Sequence, residues 1–308
     1  MYEWLDSLFY LLRISNEVQD KWSCISMINF RKNKNKSLSV DLNQINDKVL
    51  LEKMSHTKSN DNAKKFITYK PNPNGKKIIE IKNLNKSFNR NKNHVLKNIS
   101  IDLYENEHTA ILGGNGAGKT TLVEILAGIT KADEGEINYL YEYKNSFQEK
   151  IGIQFQDSSY PKGLSVKDII SFILDIFKSD LNKDELNALI KIFGIDEFYN
   201  KKANSLSGGQ SQRLNCLLSI LHKPSFLILD ELSTGLDVTI KSNIKSFIKE
   251  FAKENKITLL LVSHDMDEIQ YLSQRIIILK NGEIFVDAKL EDIIKEFGSL
   301  TECMDMYI

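Results

Sequence analysis

Four stretches of this 308-residue chain carry residue types that could act together on a phosphate. Gly113-Gly114-Asn115-Gly116-Ala117-Gly118-Lys119-Thr120-Thr121 has the pattern G-x-x-x-x-G-K-T. Glycine at Gly113, Gly116 and Gly118 lets the backbone turn tightly and brings its N–H groups onto oxygens that a side chain would block. Lys119 can reach β- and γ-phosphates, and the Thr120 hydroxyl can ligate Mg²⁺. Asp230 and Glu231 follow the apolar run Phe226-Leu227-Ile228-Leu229. The first suits a water-mediated Mg²⁺ contact, the second the polarising of an attacking water. His264, within Ser263-His264-Asp265, can hydrogen-bond a phosphate and report its presence. The fourth stretch is Leu206-Ser207-Gly208-Gly209-Gln210. None decides alone. Ser-Gly-Gly turns are common in loops, paired acids are usually solvated, and a lone histidine is more often structural. The glycine loop by itself does not separate ATPases, GTPases and small kinases.

Such a loop works between a strand and a helix. Residues 108–112 predict the strand and 122–126 the helix, whose positive end would face the same anion. Four consecutive apolar residues at 226–229 predict a strand buried on both faces of a parallel sheet. Asp230 and Glu231 then fall at its C-terminal end, where such sheets place ligands. Residues 257–262 read as a second buried strand and 151–156 as a third, ending in glutamine. Residues 78–88 and 95–104 alternate as strands, with polar residues 89–93 as their turn. Helices are expected at 166–177, 183–193 (closed by Gly194) and 211–221. Three helices in succession suggest an insertion, about 157–222, in an α/β domain. A helix at 266–273, a hairpin around Asn281-Gly282 and a small helical cap at about 288–308 complete the chain.

The bulk composition, 42% hydrophobic and 27% charged, is that of a soluble globular protein. No window approaches the roughly 18 uncharged apolar residues that a membrane helix needs. A role at a membrane would therefore need another chain to span it. Glu3 and Asp6 make the N-terminus a poor secretory signal. The formal net charge of zero conceals 14 Lys/Arg against 8 Asp/Glu in residues 1–78. We expect residues 1–77 to be a basic, Lys/Asn-rich, partly disordered extension, punctuated at its end by Pro71-Asn72-Pro73-Asn74-Gly75. Trp4, Leu5, Leu8, Phe9 and Leu12 recur at helical spacing. They fit a helix docked on a membrane face or a partner subunit, a short helix packed on its own domain, or a poorly ordered appendage. Cys24, Cys216 and Cys303 show no pairing or metal spacing, which fits a reduced cytosolic compartment.

Together, and in this order, these motifs make the region from about residue 79 onward resemble the nucleotide-binding subunit of an ATP-binding cassette (ABC) transporter. The resemblance implies an α/β fold: a P-loop NTPase (RecA-like) core with an antiparallel β subdomain and an inserted helical subdomain, at 78–308. It implies ATP and Mg²⁺ as ligands and ATP hydrolysis as the activity. Phe88 then matches the aromatic stacking on adenine, and 113–121 the phosphate loop. Gln156 matches the glutamine that senses Mg²⁺ and γ-phosphate and faces the membrane subunit. Ser207, Gly208, Gly209 and Gln210 match the signature that closes on ATP held by the opposite protomer, and Asp237 the aspartate at the dimer contact. Glu231 and His264 match the catalytic pair; Thr120, Gln156 and Asp230 match the metal-binding set. Implied partners are a transmembrane permease subunit on a separate chain and a second ATPase subunit, as homodimer or heterodimer, with no nucleic acid. The implied location is cytoplasmic, peripheral on the inner face of the membrane. One departure is Leu232, where the family usually has proline. Glu231-Leu232 and the tail Ser299-Leu300-Thr301-Glu302 are similar to exporter-type, multidrug-like subgroups, giving an expectation of export. The alternative is a soluble single-cassette ABC ATPase in a non-transport role, such as cofactor assembly or a ribosome-associated function.

Overall fold

The computed structural model describes Tyr69 and residues 75–88, 93–155, 160–232 and 235–307. The expectations for the N-terminal extension lie almost wholly outside these residues, as does Gln156. Strands β1 (Lys77–Phe88) and β2 (Asn93–Tyr104) pair antiparallel, as their alternation predicts. Strand β3 (Thr109–Leu112) leads into helix α1 (Lys119–Leu126). Strand β4 (Glu134–Tyr139) joins the other edge of β1 and completes a three-stranded sheet, β2-β1-β4. No sequence signal marks β4, because its Glu134 and Glu136 are exposed and only backbone pairing with β1 defines it. Ile79, Ile81 and Leu84 of β1 and Leu96, Ile99 and Leu103 of β2 pack in one core with Leu122, Val123 and Leu126 of α1. This core holds the phosphate loop between two layers.

The second sheet has six strands. After β5 (Ile151–Gln154), it takes in β6 (Phe226–Asp230), β7 (Thr258–Val262), β8 (Arg275–Lys280) and β9 (Glu283–Lys289). The order is β5-β6-β7-β3-β8-β9. All neighbours are parallel except β9, which returns antiparallel on β8. Every residue of β3, β6 and β7 is buried, as covering on both faces requires. The β8–β9 turn has Asn281 at φ 52° and Gly282 at φ 81°, the pair of positive values that a two-residue hairpin needs.

Helices α2 (Val166–Phe177), α3 (Lys183–Ile192) and α4 (Gly208–Ile220) form the insertion. Each opens with a reciprocal capping box: Ser165 with Asp168, Asn182 with Glu185, Ser207 with Gln210. Arg213, unremarkable in the sequence, is buried and donates to the Gly194 carbonyl at 3.2 Å and to Glu197 at 3.1 Å. Helix α5 (Val238–Glu254) escapes the sequence reading. It buries only the narrow stripe Ile244, Ile248 and Ala252, and lysines occupy much of the rest. The chain ends in α6 (Met266–Leu272), α7 (Leu290–Phe297) and α8 (Leu300–Tyr307). The architecture is the expected α/β core with an antiparallel subdomain and a helical insertion.

Candidate functional site

Because β7 lies between β3 and β6, the C-terminal ends of three adjacent strands bring the predicted residues to one edge. The glycine loop follows β3, His264 follows β7, and Asp230 and Glu231 close β6. Within the loop, Gly113, Gly116 and Gly118 have φ of 152°, 79° and 102°, values that side chains disfavour. A Cβ at Gly113 would stand 2.4 Å from the Leu279 carbonyl oxygen, and one at Gly118 would stand 2.7 Å from Leu96. At Gly116 a Cβ would meet nothing within 4 Å. The loop is thus walled by β8 and β2 and open on its outer side, where Asn115 and Gly116 are exposed.

Gly118 caps α1, so the first free N–H groups of that helix face the loop's concave side. Ala117 is buried, Gly114 partly so, and Thr120 and Thr121 sit in the helix's first turn. Lys119 Nζ donates to the carbonyls of Gly113 at 2.7 Å and Gly114 at 3.2 Å. Burial holds the ammonium below its ordinary pKa, against the opposing pull of Asp230 and Glu231.

Asp230 is 7% exposed, and burial, reinforced by Glu231, raises its carboxyl to about 6. A buried acid with so incomplete a counter-charge is suited to a cation. With the exposed Thr120 hydroxyl it offers hard oxygen donors of the kind Mg²⁺ takes, alongside phosphate and water. Glu231 is mostly buried and takes φ 55°, rare for a residue with a side chain. Its N–H donates to the Val262 carbonyl at 2.8 Å, and its own carbonyl accepts from Gln212 Nε2 at 2.6 Å. His264, with its side chain 56% exposed, places Nε2 4.0 Å from Glu231 Oε1.

The pentapeptide is more than a turn. Ser207 Oγ accepts from the Gln210 N–H at 3.3 Å, and the Gln210 side chain accepts from the Ser207 N–H at 3.2 Å. The expected helix start at 211 therefore moves to Gly208, because the capping box offsets the low helix propensity of two glycines. Ser207 and Gly208 are exposed. Gly209 is pressed on the loop after β6, where its Cβ would stand 2.7 Å from the Gly235 carbonyl oxygen. Asp237 in that loop caps α5 by accepting from the Ile240 N–H at 3.0 Å, and the adjoining Val238 is 84% exposed. The pentapeptide is distant in sequence from the phosphate loop, but one contact, Gln212 to Glu231, links its helix to the acid pair.

Phe88, 39% exposed, pairs with Asn93 on β2 and lies beneath the Lys86 ammonium at 5.2 Å. Two residues along β2, Val95 places its carbonyl oxygen 2.9 Å from a Cβ at Gly118. The aromatic is thus carried by the strand pair that backs the loop. Among the described residues no helix is long and apolar enough to cross a membrane. Gln212 is the residue at this site that the sequence did not single out; nothing in its spacing marks it.

A family model described as "ABC transporter" matches residues 96–234. The energy-coupling factor transporter ATP-binding protein EcfA of Malacoplasma penetrans is 34% identical over 234 residues, 73% of this chain and 80% of that protein. The spermidine/putrescine import ATP-binding protein PotA of Borreliella afzelii is 32% identical over 224 residues, 71% of this chain. The chain covers 65% of that relative's length. Among solved structures, the dimeric post-hydrolysis state of the ATP-binding cassette MJ0796 bound to ADP and Pi superposes with a TM-score of 0.60 at 25% identity. The match covers 69% of this chain and 98% of that one. The relatives are named for import or energy coupling, so they lend no support to an exporter-type subgroup. Leu232, on which that expectation leaned, is a core residue at 1% exposure. Its identity answers to packing.

Proposed function

This chain belongs to the ABC transporter ATP-binding proteins, and from that premise we propose that it binds and hydrolyses ATP to drive a separate membrane-spanning partner. The observation that carries the reading is the convergence of Lys119, Asp230, Glu231 and His264 on adjacent strand ends. Backbone N–H groups of 113–119 and the Lys119 ammonium hold the phosphates. Thr120 and Asp230, with Gln156, would hold Mg²⁺, which would supply charge neutralisation to the phosphates. Glu231 takes the proton of the attacking water, and His264 hydrogen-bonds the γ-phosphate from the neighbouring strand. Phe88 stacks on the adenine.

The exposed surface of Ser207, Gly208, Gly235, Asp237 and Val238 is continuous through the Gly209–Gly235 contact. It suits a head-to-tail dimer in which free N–H groups at the start of α4 meet the γ-phosphate held by a second subunit. ATP favours this closed dimer because it touches both faces only there. The chain is then a peripheral subunit on the cytoplasmic face of a membrane. The named relatives carry import and energy coupling, and the transport reading rests on them rather than on an export-type tail.

The decisive variant is Glu231→Gln. It is expected to bind ATP with undiminished affinity while hydrolysing it at least about 10²-fold more slowly, the scale of a lost general base. Turnover at the wild-type rate in a single-turnover assay would remove Glu231 from that role. Purification from membranes should bring a polytopic protein with the chain. Recovery with a soluble scaffold instead would favour the non-transport alternative.

A further inference from the structure

We propose that Gln212 is a positioning residue through which the pentapeptide of a chain sets the carboxylate of Glu231 in that same chain. The inference rests on the composite-site reading above. It begins from backbone strain. Glu231 holds φ 55°, a conformation that costs a side-chain-bearing residue energy and persists only where its surroundings enforce it. Among the described residues, two hydrogen bonds to its peptide groups hold it here. The sheet supplies one, from the Glu231 N–H to the Val262 carbonyl at 2.8 Å. Helix α4 supplies the other, from Gln212 Nε2 to the Glu231 carbonyl at 2.6 Å. Gln212 is 5% exposed, and its bond to the Glu231 carbonyl is part-buried.

Gln212 lies two residues beyond Gln210, within the first turns of a helix whose start is locked by the Ser207–Gln210 capping box. On the same side, Gly209 rests against the Gly235 carbonyl, leaving no room for a Cβ. The start of α4 and the loop that follows Glu231 therefore touch at two points. A displacement of Ser207–Gln210 moves Gln212 as part of one rigid turn, and with it the peptide that orients Glu231. In a dimer, Ser207–Gln210 face the partner's nucleotide, whereas Glu231 serves the chain's own. The contact makes the geometry of one site depend on the occupancy of the other, and it is made wholly within one chain.

The test uses the full-length protein with two substitutions. Gln212→Met keeps the bulk and removes the donor; Gln212→Glu sets an acceptor against the carbonyl. Both are expected to lower kcat for ATP about ten- to a hundredfold, the scale of a misplaced reacting group, with KM and ADP affinity held within about twofold. Because the Glu231 carbonyl loses its donor, the thermal midpoint should fall by a few degrees while both variants stay folded at the assay temperature. Wild-type kcat in either folded variant would overturn the proposal. So would a loss of nucleotide affinity in step with kcat, which would mark the contact as structural. If Gln212→Met fails to fold, Gln212→Glu carries the same comparison. Absence of ATPase activity in the wild-type chain, or Glu231→Gln without effect, would strike the functional reading instead.

Discussion

At Asp230 one carboxyl is set between two demands. Burial raises it to about 6, with Glu231 adding to the rise and Lys119 opposing it. Its folded value lies above the ordinary carboxylate range, so the folded chain holds this proton more tightly than the unfolded one. Stability from this group therefore grows as pH falls from about 6 toward 4, and the ionised form weighs against the fold above pH 6. His108 and His222 act with the opposite sign. Burial lowers each to about 4, so each withdraws stability as pH falls from about 6.5 toward 4. The difference between wild type and Asp230→Asn isolates the acid. That variant is expected to melt higher than wild type above about pH 7 without nucleotide, to lose the advantage near pH 4, and to lose Mg²⁺-dependent hydrolysis about 10²-fold. Thermal unfolding at the two pH values checks the sign. An advantage independent of pH would show that Asp230 is not the titrating group.

Helix α4 shows how an element can carry two roles at one residue. Ser207 satisfies the Gln210 N–H and so starts the helix, and it also forms the exposed rim of the pentapeptide. Ser207→Asp separates these roles, because aspartate caps a helix as well as serine does but sets a charge where an anion would come. The variant should keep the wild-type thermal midpoint and ATP binding to the monomer. It should lose ATP-dependent dimerisation in a Glu231→Gln background, read by sedimentation. A stable dimer in Ser207→Asp would overturn the assignment of that rim to a phosphate. Ser207→Ala, by contrast, should cost about 1 kcal/mol through the lost cap.

Across the whole molecule, Arg275 joins the two sheets. It is 2% exposed and forks onto Asp287 with two bonds of 2.7 Å. A third contact reaches the Asp102 carbonyl at 2.7 Å and a fourth Glu107 at 3.0 Å. The Tyr69 ring lies 3.7 Å from the guanidinium, and the Tyr69 hydroxyl donates to Glu107. The cation thus ties β8, β9, the end of β2 and Tyr69 to one point. Arg275→Met would leave Asp287 and Glu107 without their cation, and about 3–5 kcal/mol of stability should go with it, seen as a lower urea midpoint. A loss under about 1 kcal/mol would show that the acids find water instead.

The parts of this protein whose signal is local were legible in its amino-acid order. Glycine spacing at 113–118 demands a tight turn, unbroken apolar runs at 226–229 and 259–262 demand buried strands, and Asn281-Gly282 demands a hairpin. Each follows from the conformations or burial a few adjacent residues permit, and each stands in the fold. The pentapeptide belonged with these, except that its helix begins at Gly208 because capping outweighed glycine propensity. Features that depend on neighbours from distant parts of the chain emerged only on packing. Strand β4 exists through pairing with β1, the order β6-β7-β3 brings His264 beside Glu231, and Arg275 finds its acids on distant strands. The bond from Gln212 to the Glu231 carbonyl is of this second kind. A hydrogen bond between residues on different elements leaves no periodicity in the chain, so only the packed molecule could reveal it.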